Sequence, residues 1–424
     1  MGPGNLRAMR THQWIDLVRS QTALSQDAWG LPGVHGYRMF CPEARPVLFA
    51  SAYRADPRPT LILTSSHDKA LAWQAKLQLC GVPELEIWQL PSGISSLFED
   101  AAPETIALSD RLGALRQLAS GENGIVIATP SAALERTLPA ETLLEGTIEA
   151  SKGDELNLDR FVSTLVALGY EPANPVTIPG QYSRRGGILD VFPTGAQLPV
   201  RIELFGDEID SLRQFDPNSQ RSVGPINRLR INPSRETMYH LDPTATEEDL
   251  RRVRSEIAAM LVRTAEVEAA ELHEDSAHRL EELIQGDARA IEQGVYFDRL
   301  DLYRPTLHPD SGCALNMLSD RGLVLLDEPV ELSLVAHKAE EELAAALSAR
   351  RFRGEILSCV VGDYLAPVEQ LVEGPRVRGL AHFDDLPEWF RADENVEVGV
   401  QTLDSYRGRA ESLAQAMKEW SAAG

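Results

Sequence analysis

Cysteine is scarce. The chain has four in 424 residues, Cys41, Cys80, Cys313 and Cys359, and none lies at C-x-x-C spacing. That excludes a zinc site of the usual spacing and a disulfide framework, and a reducing, cytoplasmic setting is expected. No apolar run approaches the ~20 residues that a membrane span requires. The opening "MGPGNLRAMRTHQW" has no apolar core, so no signal peptide is expected. Positive charge is also short: the net charge is −23. A dedicated nucleic-acid binder usually presents a basic stripe, because phosphate neutralisation supplies much of the affinity. Any basic surface here must be local.

A phosphate cradle of the form G-x-x-x-x-G-K-[ST] is missing as well. This matters because "LVLLDEP" has the shape of a Walker B strand, four apolar residues followed by Asp327 and Glu328. In a P-loop ATPase such a pair serves magnesium and the attacking water, but magnesium is useful there only against cradled phosphates. The place expected to hold the cradle, "LFASAYRADPRPTLIL", has neither glycine nor lysine, and Pro57 and Pro59 remove two amide donors. Asp327 and Glu328 are therefore read as a vestigial Walker B pair that ends a strand, and no cofactor is expected. His67 and His240 have no partner at metal-ligand spacing. Ser183 and Ser358 lack the flanks of a nucleophile, so no catalytic or metal-ligating residue is nominated.

The length calls for several domains. In residues 13–138, "PVLFASAY", "PTLILTSS", "LEIWQLP" and "NGIVIATP" read as buried strands. "DKALAWQAKLQLCG" and "PETIALSDRLGALRQLASG" read as helices between them. Strand–helix alternation predicts a parallel sheet with crossover helices. Residues 139–236 read as an inserted α+β unit, with Asn157 capping the helix "LDRFVSTLVALGY" and strands at 187–192, 199–205 and 209–215. Residues 237–350 are mostly helical, with a long helix starting at a Thr246 cap. Residues 355–424 alternate strand and helix through "EILSCVVG", "LAPVEQLV", "RVRGLAHF", "LPEWF" and "VEVGVQT". They are expected to form a further small α/β domain that stops early, as in a truncated chain. The fold class is thus α/β: a degenerate P-loop-type sheet domain split by an insert and followed by a small domain.

The most informative stretch is "YSRRGGILDVFP", followed by "PVRIELFGDEIDSLRQFD". A strand period of two sends Val200, Ile202 and Leu204 to one face and Arg201, Glu203 and Phe205 to the other. Arginine beside a large exposed aromatic is the composition of an interface hot spot. Arg185 sits directly before the glycines that open the neighbouring strand, so Arg185 and Arg201 could flank one patch. Glu203, Asp207 and Glu208 are near enough in sequence to neutralise them, which leaves a salt-bridged surface as the competing reading.

These two stretches closely resemble a motif shared by the excision-repair protein UvrB and the transcription-repair coupling factors, the Mfd family; "DEIDSLRQFDPNSQRS" is nearer to the latter. "DRLGALRQLASGENGIVIATPSAALERTLP", "GLVLLDEPVEL" and "VEVGVQTLDSY" resemble further segments of that family. The resemblance implies a UvrB-homology module, without the parts that contact RNA polymerase and translocate on DNA. It implies that Arg185, Arg201 and Phe205 bind UvrA. It also implies that the chain itself is no enzyme, although full-length family members are ATP-dependent translocases. The UvrB branch carries a tyrosine-rich DNA-probing hairpin, whereas the corresponding "LPSGISSLFEDAAPETIALSD" has no tyrosine. A UvrB-like DNA-binding or DNA-dependent ATPase module is the alternative.

Overall fold

The computed structural model describes residues 29–39, 41–93, 105–239, 247–382, 386–398 and 410–423. His240, the Thr246 cap, the centre of the hairpin-equivalent stretch and the end of "VEVGVQTLDSY" lie outside these residues.

The first part of the chain supplies β1 (Gly33–Met39), β2 (Pro59–Leu63), β3 (Ile87–Leu90) and β4 (Gly124–Ala128), with helices Arg45–Ala55, His67–Leu79 and Thr105–Ala119 between them. The insert follows: β5 (Ile148–Ser151), helix Leu158–Ala167, β6 (Glu171–Pro172), β7 (Gln181–Arg185), β8 (Ile188–Val191), β9 (Val200–Phe205), β10 (Glu208–Phe215), β11 (Ser222–Pro225) and β12 (Arg228–Ile231). Next come helices Glu247–Ala269 and Glu274–Gln293, β13 (Leu323–Asp327), helix Pro329–Phe352, β14 (Arg376–Ala381), β15 (Glu394–Val398) and helix Ala410–Ala423.

Seven strands form one parallel sheet in the order β15-β1-β14-β13-β2-β4-β3. Its central strands β13, β2 and β4 are buried at every position because both faces are covered. Leu61, Leu63, Val126, Val324 and Leu326 pack on one side, with Leu112 and Leu115 of one helix and Leu332 and Leu343 of another. Ile62, Ile125, Ile127, Leu323 and Leu325 pack on the other, against Phe49, Trp73 and Leu77. This is the α/β architecture expected, with a separate small sheet in the insert.

Three sequence expectations are corrected. "PVLFASAY" is helical, not a strand: Pro46 occupies the first turn, where a missing N–H costs nothing, and Leu48, Phe49 and Tyr53 bury one face. The first strand is instead "GVHGYRM", whose glycines and polar residues hide it from an apolar-run search. The strands assigned to a following small domain are not on a sheet of their own. β14 and β15 flank β1 in the large sheet, and "EILSCVVG" and "LAPVEQLV" form short 3₁₀ turns and one isolated bridge, Leu365 opposite Glu135, in place of strands. Buried Arg378 of β14 ties this junction by donating to the carbonyl of Gly33 at 3.0 Å. The long helix expected from residue 246 is a hairpin of two, closed by Ala258, Leu261, Leu280, Ile284 and Ile291.

The insert folds around its own core of Phe161, Leu165, Leu189, Val191, Ile202, Ile209 and Leu212. The Asn157 cap accepts from the Arg160 backbone N–H at 2.9 Å, as its sequence position predicts. A six-stranded sheet runs β11-β10-β9-β8-β7-β6. Entry and exit strands pair as a ribbon, Ile148 opposite Ile231 and Ser151 opposite Arg228.

A buried ionic cluster sits where the insert rejoins the body. Arg111 Nε donates to Glu236 Oε1 at 2.8 Å, Thr137 Oγ1 donates to the same oxygen at 3.1 Å, and Arg304 Nη1 lies 3.2 Å from Glu236 Oε2. Burial lifts the carboxyl of Glu135 above the ordinary range, although Arg111 and Arg304 beside it oppose the rise. Nearby, Gly113 and Gly195 press backbone to backbone: a Cβ on either would stand 2.9 Å from the other's Cα. Gly195 N–H also donates to Ser109 Oγ at 3.0 Å.

Candidate partner-binding site

Two places carry functional groups. The first lies at the carboxyl ends of β13 and β14, the crevice where open α/β sheets usually take ligands. A cavity of about 580 Å³ opens there, lined by Arg45, Lys69, Trp73, Asp327, Glu328 and His382, among others. The Walker-like pair is largely buried and is bonded from within the chain. Arg45, only 1% exposed, spans both carboxylates: Nη1 lies 2.5 Å from Asp327 Oδ1 and Nη2 lies 2.6 Å from Glu328 Oε1. Trp73 Nε1 donates to Asp327 Oδ2 at 2.8 Å, and the His382 backbone N–H donates to Glu328 Oε2 at 3.2 Å. Glu328 adopts a left-handed backbone, φ 63°, at the strand-to-helix turn. One guanidinium drawn from the chain thus bonds both members of the pair. Arg45 had no sequence signal, because its helix was read as a strand.

The second place is the outer face of the insert sheet. Register brings the nominated residues together. In β9, Arg201 stands opposite Asp190 of β8, and Glu203 stands opposite Ile188. In β7, Arg185 stands opposite Ile188 and Ser183 opposite Asp190. Arg185 and Arg201 therefore converge on one carboxylate, a residue the sequence reading did not nominate. Arg201 reaches Asp190 with two parallel bonds, Nε to Oδ1 at 2.7 Å and Nη2 to Oδ2 at 2.8 Å. Arg185 Nη2 donates to Asp190 Oδ2 at 2.9 Å. The Asp190 bonds hold the Arg201 guanidinium above its ordinary pKa, and its plane lies 4.9 Å over the ring of buried Phe215. The neutralising carboxylate is not one of those expected: Glu203 instead accepts from Ser211 Oγ at 2.5 Å.

Phe205 is 83% exposed, and Ile188 is partly exposed on the same face. The geometry follows from two neighbouring hairpin tips. The β7–β8 turn is Gly186–Gly187, and Gly186 takes φ +61°, which a side chain would resist. The β9–β10 turn is Gly206–Asp207, with Phe205 opposite Glu208. The tips are stitched by Leu204 N–H donating to Gly187 O at 3.0 Å. Arg185 and Phe205 each end a strand beside these turns. The face thus offers two oriented guanidinium groups and an exposed ring, a set suited to binding a carboxylate-bearing protein surface.

Residues 148–236 match the family model of the UvrB interaction domain, the same span that folds from β5 to just beyond β12. The insert thus resembles a UvrB interaction domain. Over part of its length the chain is similar to the N-terminal region of transcription-repair-coupling factors. It is 31% identical over 268 residues to the one from Bacillus subtilis (strain 168), covering 62% of this chain and 22% of that protein. It is 33% identical over 150 residues to that of Escherichia coli (strain K12), 35% of this chain and 13% of that protein. With that of Haemophilus influenzae it shares 34% over 139 residues, 33% of this chain and 12% of that protein. The chain thus corresponds to about a fifth, or less, of the length of these relatives. Among the described residues no helix is long and apolar enough to cross a membrane.

Proposed function

We propose that this chain is a non-catalytic UvrB-like module that binds UvrA and so brings excision repair to stalled RNA polymerase. The observation that carries the reading is the Arg185–Asp190–Arg201 group beside exposed Phe205, on the face of a UvrB interaction domain. A ring this exposed adds nothing to the fold's core, and on binding it would bury apolar area of order 150 Å² or more. Contacts to RNA polymerase and DNA belong to other parts of a full-length family member. The ATPase alternative is disfavoured by Arg45. An enzyme at Asp327–Glu328 would first have to expel a buried cation bonded to both carboxylates, with no P-loop to hold the phosphates.

The test is calorimetric titration of UvrA with the wild-type chain and with Phe205→Ala. The reading predicts saturable binding by the wild type, weakened at least about 30-fold by the substitution, the loss of one hot spot of roughly 2 kcal/mol. Absence of binding by the wild type would contradict it.

A further inference from the structure

The surface has a part that the reading above leaves without a role. Asp190 is fully buried, so it cannot touch a partner, yet it accepts three hydrogen bonds from two arginines whose side chains remain 52% (Arg185) and 24% (Arg201) exposed. One buried carboxylate thus holds two guanidiniums, and Glu203 on the same face is a second carboxylate that acts on Arg201. Among the described residues the Arg185 side chain bonds to Asp190 alone and is 52% exposed, so most of its N–H donors face outward. Arg201 is fixed in plane by its paired bonds and by Phe215 beneath it.

We propose that Asp190 is the positioning residue of this interface. It presets Arg185 and Arg201 as a two-pronged clamp whose outward N–H donors take a carboxylate on the partner. The proposal rests on the UvrA reading. Two effects of removing the Asp190 charge oppose each other. Asp190→Asn adds a net positive charge to the surface, which would strengthen attraction to an acidic partner. It also sets an NH₂ group against a guanidinium donor, because both carboxylate oxygens are already acceptors. The second effect governs here. Partly exposed arginines released from their tether recover rotamer freedom, and that freedom must be lost again on binding. The exposed charge gain is screened by salt.

The experiment measures UvrA affinity of the whole chain as wild type, Asp190→Asn, Arg201→Lys, Arg185→Ala/Arg201→Ala, and the triple variant that adds Asp190→Asn to the last. Thermal unfolding of each is recorded alongside. Asp190→Asn is expected to weaken binding by about tenfold or more, and to change it by less than about twofold when both arginines are absent. Arg201→Lys keeps the charge but loses the paired bonds, and it is expected to weaken binding by a similar factor. This variant decides the matter if Asp190→Asn does not fold. Unchanged or tighter binding by Asp190→Asn, an equal loss in the arginine-free background, or full affinity in Arg201→Lys would each overturn the role of Asp190. If the wild type itself failed to bind UvrA, the functional reading would fall, and this inference with it.

Discussion

Arg201 meets Asp190 in a planar, two-bond pair, 2.7 and 2.8 Å, in which the carboxylate is fully buried and the guanidinium is not. The asymmetry separates binding from folding. Truncating Arg201 leaves a buried carboxylate with only Arg185 to balance it, so Arg201→Ala is expected to cost about 2–4 kcal/mol of stability. Phe205→Ala removes an exposed ring and should stay within about 0.5 kcal/mol of wild type. Urea denaturation of both variants checks this, and the comparison makes Phe205 the cleaner probe of partner binding.

Arg45 carries a comparable load inside the body. Itself almost fully buried, it faces Asp327 and Glu328 at 2.5 and 2.6 Å. Arg45→Met is expected to destabilise the chain by roughly 3–5 kcal/mol, because two carboxylates lose their cation. Arg45→Met combined with Asp327→Asn and Glu328→Gln should recover a large part of that. Denaturation midpoints of the single and triple variants decide it; a neutral Arg45→Met would remove the charge-balancing role.

The linker that leaves the insert is pH-sensitive through His308. Burial, and after it Arg304, pushes this imidazole down to about 4, and its Nε2 accepts the Met238 backbone N–H at 3.3 Å. The unfolded chain takes up the proton near 6.5, so between the two values the unfolded state binds more protons. Stability is fully present above about pH 6.5 and falls toward pH 4, by at most ~1.4 kcal/mol per pH unit from this group. Chemical denaturation at several pH values should show a shallower fall over that window in His308→Gln, which keeps an acceptor but does not titrate. Parallel curves would contradict the assignment.

Gly113 and Gly195 set how closely the insert can approach the body. Their backbones leave no room for a methyl group, since the added Cβ of Gly113 would meet Gly195 Cα at 2.9 Å. Gly113→Ala is expected to cost about 1–3 kcal/mol by forcing the two backbones apart, read by thermal unfolding. Gly153→Ala serves as a control for added strain without a clash, because φ is +92° there but nothing lies within 4 Å of the new Cβ.

The large sheet was legible where burial was complete. β2, β4 and β13 are short, predominantly apolar runs buried at every position, "PTLIL", "GIVIA" and "LVLLD". β1 was not legible. Arg38 pairs with Glu397 at 2.8 Å across the sheet edge, and such a cross-strand partner leaves no trace in local sequence. The same limit explains the site. Alternation placed Arg201 and Phe205 on one face, and the glycines placed Arg185 beside them. Asp190 was invisible as their shared anchor because it sits in the apolar string "ILDVF", and only register sets it opposite Arg201. Arg45 was missed for a third reason: Pro46 in a first helical turn was read as part of a strand.

The most direct measurement is a pull-down of UvrA by the intact chain, compared with an Arg201→Ala/Phe205→Ala double variant confirmed to be folded. The account predicts capture by the wild type and loss of capture by the double variant. Equal capture by both would show that the guanidinium-and-ring face is not where UvrA binds.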